Sequence, residues 1–211
     1  SDDDVFVAEY RITRLGLGAD IGTDIGRDAE IRLGYDITDF TGRRRVGSPD
    51  LPEVDGTEEV LHLDVFVDTQ TSPLVPTRGF RLRSALRQFF SAPTASGPID
   101  GVIPPSPQSF TSGEVRTSWF TRVRNRDDRV FLIGEGGTSF GAHPLVDNFA
   151  LGGPLRIGSV NTDQLRGDNY LLGVAGYLHG IGRVPDVLGG SVFLGLWVEA
   201  GSAFNDWDNQ D

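Results

Sequence analysis

The residues with the most chemical promise are Gly137-Thr138-Ser139-Phe140-Gly141, which match the serine-hydrolase pattern G-x-S-x-G, with His143 and Asp147 close behind. In such hydrolases the serine sits on a strained turn between a strand and a helix, beside an oxyanion hole, and the histidine and acid come from distant loops. Here Pro144 and Asn148 interrupt any helix, and no apolar helical period follows. The segment reads as a Gly-rich strand end entering a loop, so no catalytic residue is assigned and an enzyme using Ser139 stands only as a rival. His62, His143 and His179 lack the H-x-x-x-H or H-E-x-x-H spacing that would suggest a metal site. His62 and Asp64, two apart on a strand, share a face and read as a polar pair. Gly16-x-Gly18 lies mid-strand with no helix after it, so it is no dinucleotide fingerprint.

Composition narrows the classes. The chain of 211 residues could form one domain with a sizeable core. No Cys is present, which removes disulfides, zinc-thiolate sites and Cys nucleophiles. A formal net charge of −11 argues against a nucleic-acid partner, and no cofactor is implied. Every basic residue is Arg or His, none Lys; Arg suits partly buried ion pairs better than Lys does. With 28 glycines, helices are disfavoured and turns and close backbone approaches favoured. No run of about 18 apolar residues offers a transmembrane helix, but barrel strands need only about 9–11 residues of alternating polarity. The absence of an initiator Met and of a signal peptide suggests a mature form or a fragment.

Period-two alternation dominates the chain. Thr13, Leu15, Leu17, Ala19 and Ile21 oppose Arg14, Gly16, Gly18, Asp20 and Gly22. Ile31, Leu33, Tyr35 and Ile37 oppose Arg32, Gly34, Asp36 and Thr38. Leu61, Leu63, Val65 and Val67 oppose His62, Asp64, Phe66 and Asp68. Phe80, Leu82 and Leu86 oppose Arg81, Arg83 and Arg87, and Val115, Thr117, Trp119, Thr121 and Val123 oppose Glu114, Arg116, Ser118 and Arg122. Val130 to Thr138 is ambiguous, Tyr170 to His179 weakly biased. Val192, Leu194, Leu196, Val198 and Ala200 then face away from Ser191, Gly195, Trp197, Glu199 and Gly201. Val5–Tyr10 reads as the tail of a further strand.

Connections alternate in length. Asp24–Asp28 and Asn125–Asp128 are short, Thr69–Arg78 and Gly182–Gly189 moderate, and Gly47–Gly56, Ser91–Pro107 and Gly141–Asp168 long. Hairpins with one short-turn rim and one long-loop rim produce this rhythm. Two architectures fit: a soluble sandwich or lipocalin-like barrel that buries its apolar face, and a membrane barrel that turns that face to lipid. Strand length favours the membrane, because soluble strands usually stop at about 5–6 residues. So does an apolar face without charge, since an Arg or Lys there costs about 2–4 kcal/mol at the bilayer midplane. The polar face could select anions through Arg32, Arg81, Arg83, Arg87, Arg116 and Arg122; mutual compensation with Asp20, Asp36, Asp64, Asp68 and Glu114 explains it as well. Trp119, Tyr35 and Tyr170 are candidates for interfacial aromatic girdles.

Phe149-Ala150-Leu151-Gly152-Gly153 followed by Gln164-Leu165-Arg166-Gly167-Asp168 resembles the long sixth loop of the Omp85 (bacterial surface antigen D15) superfamily. Trp197-Val198-Glu199-Ala200-Gly201 is similar to the family's aromatic-x-Asp-x-Gly strand motif, with Glu for Asp. Asp68, Ser72-Pro73 and Pro76-Thr77-Arg78-Gly79 resemble its turn ahead of an Arg-bearing strand. Gly176-Tyr177-Leu178-His179 and Gly182-Arg183-Val184-Pro185 look like the branch of patatin-like phospholipases that carry such a barrel. The resemblance covers nearly the whole chain.

The resemblance implies an all-β fold, an antiparallel transmembrane β-barrel of Omp85 type. Residues 1–211 would be a partial, open barrel of about eight to nine strands, with strands missing from both ends. It implies a bacterial outer-membrane location, outer-membrane lipid as partner, and a role as membrane anchor or translocator module of a patatin-like serine phospholipase. The segment itself would not be an enzyme. A hydrolase domain with its own G-x-S-x-G would precede it; in the rival reading, POTRA repeats of an assembly or translocation factor would. A soluble all-β binding module is the alternative from another class. The family's loop motif would fall on Leu165, Arg166, Gly167 and Asp168, its strand motif on Trp197, Glu199 and Gly201. Glu199 has lumen parity from the alternation alone, so Arg166 is expected to meet it in a charge-assisted pair that holds the loop inward. The sheet should be open, with two unpaired edges.

Overall fold

A computed structural model of the chain describes residues 9–47, 53–73, 75–96, 109–123, 127–144, 149–153, 155–158, 165–184 and 190–205. Val5–Ala8, Asp147, Gln164 and Pro185 lie outside the described residues. All regular structure described is strand: β1 Glu9–Ile25, β2 Ala29–Val46, β3 Glu53–Asp68, β4 Gly79–Ser91, β5 Thr94–Ser96, β6 Phe110–Arg122, β7 Arg129–Thr138, β8 Phe149–Leu151, β9 Leu165–Gly167, β10 Asn169–Arg183 and β11 Ser191–Phe204.

Eight of these form an antiparallel meander in the order β1-β2-β3-β4-β6-β7-β10-β11, with β5 added beside the start of β3. β8 and β9 make a separate two-stranded ribbon. Among the described residues no ladder joins β1 to β11, so the sheet is open with both edges unpaired, as the sequence leads one to expect. Glu9 and Tyr10 are the first residues of β1 rather than the tail of another strand. β2 and β3 also run further than their polarity suggests, β2 on to Val46 and β3 from Glu53, inside the stretch read as the Gly47–Gly56 loop. The extensions are tied by exposed ion pairs, Arg43 to Glu53 at 2.7 Å and to Asp55 at 3.0 Å. Polar ladders form there because pairing needs only backbone groups, which alternation of apolar residues does not report.

Register turns the alternation into two continuous faces. On one, Ile21, Leu33, Leu63 and Leu86 stand in a row across four strands. On the other, Arg32, Asp64, Ala85, Glu114, Gly137 and Tyr170 do so from β2 to β10. The apolar face is uncovered: Leu17 is 81% exposed, Leu15 77% and Leu196 72%. The buried core lies on the opposite face. Phe131, Leu151, Tyr170, Leu172 and Val174 form its main cluster, joined by Phe120, Ile133, Phe149, Ile157 and Leu165. This explains why the β7 and β10 segments read ambiguously: their inward residues are apolar because a loop packs on them. A smaller cluster of Val60, Phe89 and Phe110 closes the long-loop end, the two rings stacked with centroids 4.2 Å apart.

Candidate functional site, a loop folded onto the polar face

The connection from β7 to β10 returns over the sheet instead of projecting from it. Ribbon pairing sets Phe149 opposite Gly167, Ala150 opposite Arg166 and Leu151 opposite Leu165. Leu151 is fully buried, and the Phe149 ring packs 5.1 Å from that of Tyr170. Gly137 makes this possible, because a Cβ there would stand 2.7 Å from both rings. Across that gap the Tyr170 hydroxyl donates to Glu114 Oε1 at 2.6 Å.

The tip of the fold-back is described at Gly153 and at Leu155 to Gly158. Leu155 and Ile157 both have positive φ, 59° and 71°, unusual for non-glycine residues and most of all for a β-branched one. Strain of this kind persists only where surrounding contacts over-determine it. Here Ile157 is held in the apolar cluster, the Arg156 N–H donates to Gly153 O at 3.0 Å, and the Gly158 N–H donates to Glu199 Oε1. Between the two strained residues, Arg156 Nη2 lies 3.2 Å from Glu135 Oε2 on β7. Arg116 approaches the same Glu135 oxygen at 3.8 Å and bonds Glu114 at 2.8 Å, so the loop's guanidinium joins a chain of alternating charges along the sheet. It also lies 5.9 Å from the Tyr170 ring centroid.

The expected Arg166–Glu199 pair is not made. Leu165 and Gly167 face the sheet, so alternation turns Arg166 outward, where it is exposed. Gly167 lies so close to β11 that a Cβ would be 2.5 Å from Phe204 N. Asp168 is buried; its carboxylate meets His143 Nδ1 and its carbonyl accepts the Ser139 N–H at 2.9 Å. On β11, Glu199 is reached by the loop through the Gly158 backbone. Gly201 leaves room for Ile157, whose Cδ1 would be 3.2 Å from a Cβ there, and Trp197 is exposed. Sequence reasoning therefore missed Arg156 and Glu135. The available signals were Arg156 between Leu155 and Ile157 after a Gly-Gly pair, and Glu135 as the one charge between Val130 and Thr138 in a Gly-rich apolar run.

The chemically suggestive residues have structural partners. Ser139 is 1% exposed and its hydroxyl donates to Asp168 O at 3.0 Å. His62 bridges strands, with Nδ1 2.7 Å from Asp64 and Nε2 3.2 Å from both Asp20 and Asp36. Gly34 clears the path, since a Cβ would stand 2.3 Å from His62 Nε2. Among the described residues no group of His, Asp and Glu is arranged to hold a metal ion. Asp68, ahead of the turn to β4, holds Arg81 at 2.8 Å and caps the Gln70 N–H at 2.9 Å. No protein-family model matches the chain, and a search of curated proteins finds no similar sequence.

Proposed function

We propose that this chain is part of an outer-membrane β-barrel of the Omp85 type, serving as the membrane anchor or translocator module of a patatin-like phospholipase. The observation that carries the membrane reading is the uncovered apolar face. From Leu15 and Leu17 on β1 to Leu194, Leu196 and Val198 on β11 it stays exposed, while the buried core forms on the opposite face. Soluble monomers rarely leave a contiguous apolar patch larger than a few hundred Å² open to water. Two tyrosines on this face have polar partners. The Tyr35 hydroxyl donates to Glu59 at 3.1 Å, and that of Tyr177 to Asp128 at 2.7 Å. Phe80 stands directly opposite Trp119 on the same face near the short-turn rim. Amphipathic rings with polar tips suit the headgroup level.

The parent's identity rests on the resemblance of the Phe149–Asp168 and Trp197–Gly201 segments. An inward loop held by Arg156 on Glu135 supports it in kind, with the arginine ten positions earlier than the resemblance implies. Fractionation tests the membrane reading: the protein should sediment with membranes and stay in solution only with detergent. Recovery as a detergent-independent monomer would leave the soluble all-β module as the better reading. The coding sequence upstream separates the two membrane readings, a Ser–Asp lipase domain against POTRA repeats.

A further inference from the structure

The charges on the polar face are biased by strand. β1 to β3 carry Asp20, Asp36, Asp64 and Asp68 beside Arg14 and Arg32, whereas β4 and β6 carry Arg81, Arg83, Arg87, Arg116 and Arg122 beside the single acid Glu114. Among the described residues, not all of those arginines are ion-paired with an adjoining carboxylate. Arg81 is taken by Asp68 and Arg116 by Glu114. Arg83 instead lies over the Phe66 ring, 5.3 Å from its centroid. Arg87 faces Glu114, which accepts hydrogen bonds from Arg116 and Tyr170. Asp64, the other nearby acid, is bonded to His62 at 2.7 Å.

Ala85 stands between Arg83 and Arg87 on the same face of β4, and its short side chain leaves a hollow of about 340 Å³ lined by Asp64, Phe66, Arg83, Arg87, Glu114 and Arg116. Three guanidiniums thus border a space in which both carboxylates already have hydrogen-bond donors. We propose that this hollow binds a phosphate-bearing anion about the size of glycerol phosphate. Phosphate suits it because three or four acceptor oxygens match forked donors arriving from two strands, and guanidinium is less strongly hydrated than ammonium. The volume lies at the small end of ligand sites. The inference does not depend on the identity of the parent or on what the apolar face touches.

The test is calorimetric titration of the full chain in zwitterionic micelles at low ionic strength. One arm uses inorganic phosphate, a second glycerol 3-phosphate, a third micelles doped with lysophosphatidylglycerol. Saturable binding in at least one arm is expected, weakened roughly tenfold or more by Arg83→Gln with Arg87→Gln, the scale of one charge-assisted pair. Arg83→Lys with Arg87→Lys should fall between, keeping charge but losing the fork. Arg14→Gln with Arg32→Gln removes the same two charges from β1 and β2 and should leave binding unchanged. Binding in the first two arms identifies a soluble phosphate ligand, binding only in the third a lipid headgroup. No saturable binding in any arm, or equal weakening by the β1–β2 control, overturns the proposal.

Discussion

Arg156 on the returning loop and Glu135 on β7 form an ion pair at 3.2 Å, with side chains 27% and 11% exposed. The contact joins the loop to the sheet across 21 residues of sequence (156 minus 135) and fixes a turn whose flanking residues are both in the left-handed region. Removing the cation would leave Glu135 half-paired in a poorly hydrated place, at a cost of about 1–3 kcal/mol. Arg156→Gln should therefore speed limited proteolysis of the loop and lower the unfolding midpoint. Arg166→Gln, at an exposed ribbon position, should change neither. Equal effects of the two substitutions would remove the assignment of Arg156 as the latch.

Two glycines three residues apart on β10 differ in what they face. A Cβ on Gly176 would lie 2.2 Å from the Phe131 ring, whereas one on Gly173 meets nothing within 4 Å. Gly176→Ala should destabilise by roughly 1–3 kcal/mol through overpacking. Gly173→Ala should be neutral or slightly stabilising, because it restricts the unfolded chain. Denaturant titration of both variants in the same micelles makes the comparison, and a neutral Gly176→Ala would show that the ring moves aside freely.

How far the sequence disclosed this molecule depends on what holds each part. Leu15-Leu17 and Leu194-Leu196-Val198 announce their strands because one apolar face fixes the register, and a one-residue slip would invert it. Val130 to Thr138 was obscure because Phe131 and Ile133 face a loop that arrives from elsewhere in the chain, a tertiary fact that no local period encodes. The same limit misplaced the latch. Arg166 sits in a recognisable motif, but the ribbon's alternation decides its direction, and that alternation follows from the contacts of Leu165 and Gly167 with the sheet. The G-x-S-x-G context of Ser139, read from the sequence as a Gly-rich strand end, has a packing origin at Gly137, where Tyr170 and Phe149 require the space.

Asp128, in the connection between β6 and β7, carries a pH prediction. Its carboxylate accepts from the Tyr177 hydroxyl at 2.7 Å, from His179 Nδ1 at 2.8 Å and from the Gly180 N–H at 3.3 Å. The Tyr177 bond above all, with those of Gly180 and His179, holds its pKa below the ordinary carboxylate value. The unfolded chain then takes up this proton at higher pH than the folded one. The stabilisation is fully present above the unfolded value, about 3.9, and is lost as pH falls through the lower folded value. Asp128→Asn should flatten the stability curve below about pH 4. An acid limb identical to that of the unaltered protein would mean that the carboxylate contributes nothing.

Ser139 provides a chemical control. With 1% exposure and its hydroxyl bonded to a backbone carbonyl, it offers no path to a reagent. A fluorophosphonate probe should not label it in the folded protein, and Ser139→Ala should leave any ester hydrolysis unchanged while costing about 0.5–1.5 kcal/mol of stability. Stoichiometric labelling of Ser139 would restore the enzyme reading.

The last prediction tests which way the faces point. Leu196 and Trp197 are adjacent on β11 and project to opposite sides of the sheet, Leu196 with the uncovered apolar row and Trp197 with Glu199 and Gly201. Both are exposed in the isolated sheet, so in water an arginine at either position should change stability by less than about 0.5 kcal/mol. A bilayer makes them unequal. An arginine on the lipid side near midplane costs about 2–4 kcal/mol, while one on the lumen side keeps its hydration. In lipid vesicles Leu196→Arg should therefore lower the folded, protease-protected fraction sharply, with Trp197→Arg close to the unaltered protein. If Trp197→Arg proved the more damaging, the apolar and polar faces would have been assigned to the wrong sides. If neither mattered in lipid, the sheet would not be spanning it.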